Sequence, residues 1–223
     1  MATTPTPDSP AGPAPDPAGD AAAVFDAIGA SYEEVFAETP GRRASLDQLL
    51  ARLAPGSRVL DVGSGTGRPT AETLAAAGHH VTGVDVSPVM TDLATRRVPG
   101  ASFVHADIRE LDLPEGGYDA VCVYFALLQM PRADQTRLLG RLVRALTPGG
   151  HLALATVALD VEDLGVEFMG RPIRVTSFAA DHFKTVVGGA GATPLWEQSD
   201  TFTPPLPDAV TEEHLYLVCR RTG

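Results

Sequence analysis

The stretch VLDVGSGTG, Val59 to Gly67, constrains this chain more than any other. Val59 and Leu60 begin an apolar run that passes through Asp61 and Val62, then breaks into glycines at alternate positions, Gly63, Gly65 and Gly67. Such a run reads as a buried strand entering a tight loop. Helix-favouring residues, TAETLAAA, follow Pro69, and proline is tolerated in a first helical turn, where its missing N–H has no partner to lose. The unit is strand, glycine loop, helix. Glycine lets the backbone take positive φ and lets a ligand approach without a Cβ in the way. The unpaired N–H groups at the helix start suit a carboxylate or a phosphate. A tight turn that only packs helix against sheet has the same local signature, so the neighbouring segments decide.

Those segments alternate strand and helix. HHVTGVD reads as a second strand ending on Asp85, about twenty residues past the glycines, where sheets of this kind hold a ribose by its two hydroxyls. The other reading of Asp85 is a turn or cap residue ahead of Ser87-Pro88. A helix from about Pro88 to Arg97 stops at Val98-Pro99-Gly100, and ASFVHAD makes a third strand ending on Asp107. YDAVCVYFAL is apolar almost throughout, as a strand covered on both faces should be. A helix from about Ala133 to Ala145, a turn at Thr147-Pro148-Gly149-Gly150 and a fifth strand, HLALATV, follow. This alternation predicts an α/β fold with a doubly wound, mostly parallel sheet and right-handed crossovers.

Beyond it, ALDVEDLGVEFMGRPIRVT is irregular and predicts a short hairpin or lid, followed by a helix from about Ser177 to Val187. Two final strands, near Thr193–Ser199 and Glu213–Arg220, are joined by a proline-bearing loop too short for a crossover helix, so they must pair antiparallel. Ahead of the first strand, residues 1–19 (MATTPTPDSPAGPAPDPAG) predict a disordered tail, too poor in apolar side chains to offset the entropy of ordering. A helix from near Asp20 carries Val24, Phe25, Ile28, Tyr32 and Phe36 on one face. A second runs from about Ser45, its N-cap, to Leu53. Residues 20–223 then form a single domain, which a chain of 223 residues can support.

A formal net charge of -11 argues against nucleic acid or an anionic membrane as partner and favours a small molecule. Cys122 and Cys219 sit in apolar runs and read as core residues, and no His or Cys spacing suggests a metal site. With no secretory leader pattern and no apolar run long enough for a bilayer, the expected location is the cytoplasm.

From about residue 21 to 221 the chain resembles the class I S-adenosylmethionine-dependent methyltransferases. VLDVGSGTG looks like the family's first motif, GVDVSPVM like the second, HADIREL like the acidic motif on the adenine side, and LTPGGHLALAT like the turn and strand after the fourth helix. The resemblance implies a seven-stranded Rossmann-like sheet with a C-terminal antiparallel hairpin and S-adenosyl-L-methionine as cofactor. It implies methyl transfer to O, N or C of a small, partly hydrophobic molecule by a monomer or homodimer. High Ala, Pro and Arg usage with few lysines looks like a GC-rich bacterial genome, and the resemblance implies secondary metabolism, where many relatives of this size act.

The resemblance also implies roles for particular residues. Gly63, Gly65 and Gly67, with Ser64 and Thr66 between them, would shape the loop under the methionine part, and Asp61 would organise that loop or receive the amino group. Asp85 would hold the ribose, Val86 and Met90 would flank the adenine, and Asp107 and Ile108 would meet its amine and ring edge. Tyr32 would cover the cofactor and Arg43 would contact the methionine carboxylate. Many relatives carry a histidine pair after the fourth strand, where this chain has Leu128-Gln129. Tyr124 and Gln129 are therefore the polar side chains expected near the acceptor, Tyr124 also beside the cofactor, and His182 is the remaining base candidate. Phe25, Tyr32, Phe168, Met169 and Ile173 are the expected acceptor-pocket lining. Two other readings stay open. One is a protein of this fold that binds the cofactor while catalysing a non-methylating reaction such as a cyclisation. The other, less favoured, is a nicotinamide-dependent oxidoreductase, because GxGxG lacks the third glycine of GxGxxG.

Overall fold

In the computed structural model, residues 17–36, 39–207 and 209–223 are described. Strand β1, Arg58–Val62, is buried along all but its first residue, as a central strand covered on both faces should be. It lies between β2 (His80–Asp85) and β4 (Tyr118–Tyr124), parallel to both. β3 (Ser102–His105) extends the sheet beyond β2, and β5 (Leu146–Val157) extends it beyond β4. β9 (Glu212–Arg221) then pairs antiparallel with β5, and β8 (Ala192–Phe202) with β9. The seven-stranded order β3-β2-β1-β4-β5-β9-β8 is the doubly wound sheet with an antiparallel hairpin expected from the sequence. After β1 the chain turns to one side and, after β3, returns on the other, so the loops diverge at the C-terminal ends of β1 and β4. That divergence leaves a crevice where ligands of such sheets bind.

Alternation along β1 decides what each face receives. Leu60 and Val62 join Val121, Val123, Leu152 and Leu154 under α6 (Arg132–Ala145) and α7 (Ala180–Gly189). Val59 faces the other way, with Val81, Cys122 and Val218, under α3 (Pro40–Leu50) and α4 (Thr70–Ala76). Asp61 has the parity of Val59. It is therefore an acid at a position of the α3-side core. The two thiols lie in different core clusters, Cys122 with α3 and α4, Cys219 with α6 and α7.

The N-terminal region departs from expectation in three ways. α1 begins at Pro17, inside the stretch expected to be tail, while residues 1–16 lie outside the described ones. The single helix expected to Phe36 is broken at Gly29, whose φ is 52°, a conformation glycine takes without steric cost. The pieces are α1 (Pro17–Ile28) and α2 (Ser31–Phe36). α3 starts at Pro40 rather than Ser45, because proline's fixed φ is already helical at the first position. The irregular segment forms a separate hairpin, β6 (Val161–Phe168) with β7 (Arg171–Ser177). No described helix is long and apolar enough to cross a membrane.

Candidate functional site

The crevice divides into two joined lobes. The larger is a cleft of about 850 Å³, open mouth included. Gly63, Gly65, Asp85, Val86, Met90, Asp107, Ile108, Tyr124 and Gln129 line it, and Phe25 and Tyr32 of α1 and α2 roof it. The smaller, about 320 Å³, is lined by Arg42, Asp61, Ser64, Thr66, Arg68 and Thr70 and shares Tyr32, Gly63, Gly65 and Tyr124 with the first. The glycine loop shapes their junction. A Cβ on Gly63 would meet the Ala126 Cβ at 2.3 Å, whereas one on Gly65 (φ 52°) would enter open space. Gly67 lines neither lobe; it lies against Phe103 and Val98 and lets loop and sheet close up.

In the larger lobe the acids have partners. Asp85, at the end of β2, accepts the Gly65 N–H at 2.8 Å through Oδ2 and the Ser87 N–H at 2.9 Å through Oδ1. Burial pushes its carboxyl up while those two N–H groups pull it back, and the net shift is upward. Each oxygen keeps lone-pair capacity for another donor. Ser87 caps α5 (Pro88–Arg97) by accepting the Met90 N–H at 3.0 Å, and its hydroxyl donates to Asp26 Oδ1 at 2.5 Å. One hydroxyl thus joins the turn after β2 to α1. Burial also works to raise the Asp107 carboxyl, but the side-chain and backbone N–H groups of Arg109 outweigh it and hold the group below its ordinary range. Arg109 reaches Asp134 of α6 at 3.8 Å as well. From the same helix Arg141 donates to the carbonyls of Ile108 at 3.3 Å, Leu111 at 2.5 Å, and Arg109. The loop after β3 is held to α6 by two arginines.

The smaller lobe is the opposite case. Asp61 is 3% exposed, and its Oδ2 has no hydrogen-bond partner among the described residues. Burial pushes its carboxyl up to about 7; Arg42 opposes that rise and Asp85 adds to it. Arg42 is itself buried, its guanidinium 5.7 Å from the Tyr124 ring centre and 5.5 Å from that of Phe125, and its Nε is unpartnered. Ser64 Oγ and Thr66 Oγ1 are unpartnered too. A buried polar atom left unsatisfied costs about 1–3 kcal/mol, and buried charges are normally paired. Four such atoms around one space, one on a carboxylate and one on a guanidinium, fit a ligand bearing both an ammonium and a carboxylate. Tyr124 contributes a wall and no ionisation: its hydroxyl is bonded to Ser45 Oγ at 2.9 Å, and burial pushes its pKa far up.

Three expectations need correction. Arg43 is exposed and lines neither lobe. With α3 begun at Pro40, three- and four-residue spacing puts Arg42, Ser45, Leu46 and Leu49 on the buried face and turns Arg43 outward. His182 is exposed on α7, its ring 4.8 Å from Phe178 and outside both lobes, because Phe183 and Val187 form the buried face of that helix. Phe168, Met169 and Ile173 do not line the cleft; Phe125, Ala126 and Met130 from the turn after β4 do, while Phe168 packs behind Phe25 and Tyr32. Sequence reasoning missed Arg42, Phe125 and the two arginines tying the β3 loop. Pro40 as a first helical residue was the available signal for Arg42. Nothing periodic marks Arg141.

Residues 59–150 match the family profile described as a methyltransferase domain. The demethylmenaquinone methyltransferase of Beutenbergia cavernae is 36% identical over 142 residues, which cover 61% of this chain and 57% of that protein. The chain thus spans less than two thirds of that relative. Among solved structures, the 1,6-didemethyltoxoflavin-N1-methyltransferase of Burkholderia thailandensis, with bound 1,6-didemethyltoxoflavin and S-adenosylhomocysteine, superposes with a TM-score of 0.70 at 24% identity. That likeness covers 96% of this chain and 93% of the other. The [4+2]-cyclase SpnF superposes with a TM-score of 0.69 at 21% identity, covering 94% and 98%. Both likenesses are of fold.

Proposed function

We infer that this chain is a class I S-adenosylmethionine-dependent methyltransferase, a reading its matched domain and its fold support, and that it holds S-adenosylmethionine across both lobes and methylates O, N or C of a small, partly apolar molecule. The observation that carries this reading is the orphaned polar set of the smaller lobe beside the satisfied acids of the larger one. Asp61 takes the ammonium of the methionine part and Arg42 its carboxylate, with Ser64 and Thr66 supplying hydroxyls. Asp85 uses its remaining lone pairs on the ribose hydroxyls. Val86, Met90 and Ile108 form the apolar slot for the adenine, and Asp107 stands at its edge.

The cofactor supplies an electrophilic methyl group when bound. What the chain's residues do is align an acceptor with it, and such orientation can account for ~7–11 kcal/mol of a barrier. Neither Tyr124, bonded to Ser45, nor the amide of Gln129 is a base near neutral pH. The reading therefore favours an acceptor that needs no protein group to remove its proton. We place the reaction in the cytoplasm and in bacterial secondary metabolism, with no nucleic-acid partner; the acidic net charge of -11 supports the last point. A second reading, the same cofactor with a non-methylating reaction, is favoured by one observation, the likeness to a [4+2]-cyclase.

Calorimetric titration with S-adenosylmethionine and S-adenosylhomocysteine, on wild type and Asp85→Ala, tests the first step. Micromolar binding of both, lost in the variant, is expected; no binding to wild type overturns the reading. Release of S-adenosylhomocysteine in the presence of acceptors separates methyl transfer from the second reading.

A further inference from the structure

Consecutive residues of a strand point to opposite faces. Yet Tyr124, the last residue of β4, and Phe125, the next one, both bring their rings to the Arg42 guanidinium, which lies 5.7 and 5.5 Å from the two ring centres. The backbone shows how. Phe125 has φ 60°, in the left-handed region that bulky residues rarely enter. That turn breaks the alternation, and the Phe125 ring packs with Tyr124 on the α3 side of the sheet. The other non-glycine residues with positive φ among the described ones, Asp163 and Met169, belong to hairpin β6–β7 and its turn. Of the three, Phe125 is the one that lines the cleft.

Both rings are braced from behind. The Tyr124 hydroxyl is bonded to Ser45 Oγ at 2.9 Å, and Ser45 stands one turn beyond Arg42 on the same helix. The Phe125 ring lies 4.7 Å from His214 and meets Tyr216 edge to face at 5.8 Å and 87°, and both of those β9 residues are buried. Its own N–H donates to the Ala155 carbonyl at 2.9 Å. The cation between the rings has no other fixture. Arg42 is 5% exposed and forms no hydrogen bond or ion pair with any described residue, although a buried charge is normally paired. A ring face attracts a cation, and, unlike a carboxylate, it leaves the guanidinium's N–H donors available to a ligand.

From these features we propose that Phe125 is a positioning residue: with Tyr124 it holds the Arg42 guanidinium between two rings with its donors unused, so that the carboxylate of the cofactor's methionine part meets a cation already in place. This rests on the cofactor reading above and deepens its account of the smaller lobe. Phe125 lines the larger lobe and Arg42 the smaller, so Phe125 acts on the carboxylate through Arg42 rather than by touching it. An arginine without the second ring would have to be ordered by the ligand, and ordering a side chain on binding weakens affinity.

The test uses the full chain and two ligands, S-adenosylhomocysteine and its decarboxylated form, which keeps the ammonium and lacks only the carboxylate. Calorimetry on wild type should find the first bound about 10–100-fold tighter than the second. Phe125→Leu should weaken S-adenosylhomocysteine about tenfold and the decarboxylated ligand by less than about twofold. Phe125→Tyr, which keeps a ring, should restore the wild-type values, and thermal melts check that both variants fold. An independent reading comes from wild type alone: the ring currents should move the Arg42 Hδ protons upfield of the ordinary arginine position in NMR spectra. Equal weakening of the two ligands in Phe125→Leu, no weakening of either, or Arg42 protons at the ordinary position overturns the proposal. Uptake of S-adenosylhomocysteine with no preference over the decarboxylated form overturns the assignment of the carboxylate to Arg42, and the proposal with it. Failure to take up S-adenosylhomocysteine overturns the cofactor reading itself.

Discussion

Asp61 lies one residue before the end of β1 and Asp85 ends the adjacent parallel β2; both are buried, yet their surroundings are opposite. Asp85 has an N–H on each oxygen, from Gly65 and from Ser87. Asp61 has the charge of Arg42 to oppose its burial and an oxygen with no partner among the described residues. The difference separates two ways of using a carboxylate. Asp85 is part of the scaffold: it fixes the glycine loop and the α5 turn whether or not a ligand is present. Asp61 is a cost the fold carries until something cationic arrives. A site can therefore be firm on one side and frustrated on the other, and the frustrated side marks the ligand's chemistry.

Asp61→Asn should break the contrast most visibly. Affinity for S-adenosylhomocysteine is expected to fall about 100-fold or more by calorimetry, since a buried charged hydrogen bond is worth up to ~3 kcal/mol and the Asn amide turns donors toward an ammonium. The same change should alter stability against pH. Because the folded-state pKa of Asp61 is raised from 3.8 to about 7, the folded protein binds more protons than the unfolded chain across that window. Wild-type stability should fall as pH climbs from about 4 to 7, by roughly 4 kcal/mol from this group at ~1.4 kcal/mol per pH unit. The variant should lack that slope in thermal melts. If both slopes are equal, Asp61 is not frustrated.

Ligand affinity offers a second view of the same proton. Below pH 7, S-adenosylhomocysteine binding should weaken, by up to about tenfold per pH unit, because Asp61 must ionise to meet the ammonium. Comparable weakening in Asp61→Asn would assign the effect to another group. Next in size is the arginine pair: Arg42→Gln is expected to weaken binding about 10–100-fold, consistent with ~1.5–3 kcal/mol for a charged hydrogen bond, and Arg43→Gln to leave it unchanged. Arg141→Met, which releases the carbonyls of Ile108 and Leu111, should weaken binding of adenosine by a few-fold and leave methionine competition unaltered. Smallest is Ser87→Ala. Loss of the α5 cap should lower stability by about 1 kcal/mol in urea titration, and a larger drop would show that α1 docking through Asp26 contributes too.

The sheet and the firm side of the site were legible in sequence, because both depend on local signals. A strand buried on two faces must be apolar throughout, glycines at alternate positions mark the loop, and acids close β2 and the β3 turn. The frustrated side was legible only in part. Asp61 was visible, but the arginine of this lobe was expected one residue along, at Arg43 rather than Arg42, since helical spacing tells which residues share a face only once the start of the helix is known. Reading α3 from Ser45 instead of Pro40 gave Arg42 no face to occupy. Gly29 was passed over because the apolar spacing continues across it, although the chain does not. The hairpin β6–β7 is mostly exposed, so its strands carry little burial pattern to read. The contact of Phe168 with Phe25 and Tyr32 joins residues more than a hundred positions apart, and no local pattern announces such a meeting.

Ser87 bears on timing. Its hydroxyl donates to Asp26 on α1 and accepts the Met90 N–H of α5, so one atom ties the roof to the edge of the larger lobe, beside the Val89 N–H on Asp26 and the pairs of Glu33 on α2 with Arg97 and Arg68. Were that bond the only mooring, worth about 1.5–3 kcal/mol, the roof would stand open roughly one-tenth to one-hundredth of the time. An occupant would then leave at a pace set by the opening of α1 rather than by how well the pocket fits it, and its residence time would depend on a serine at the rim.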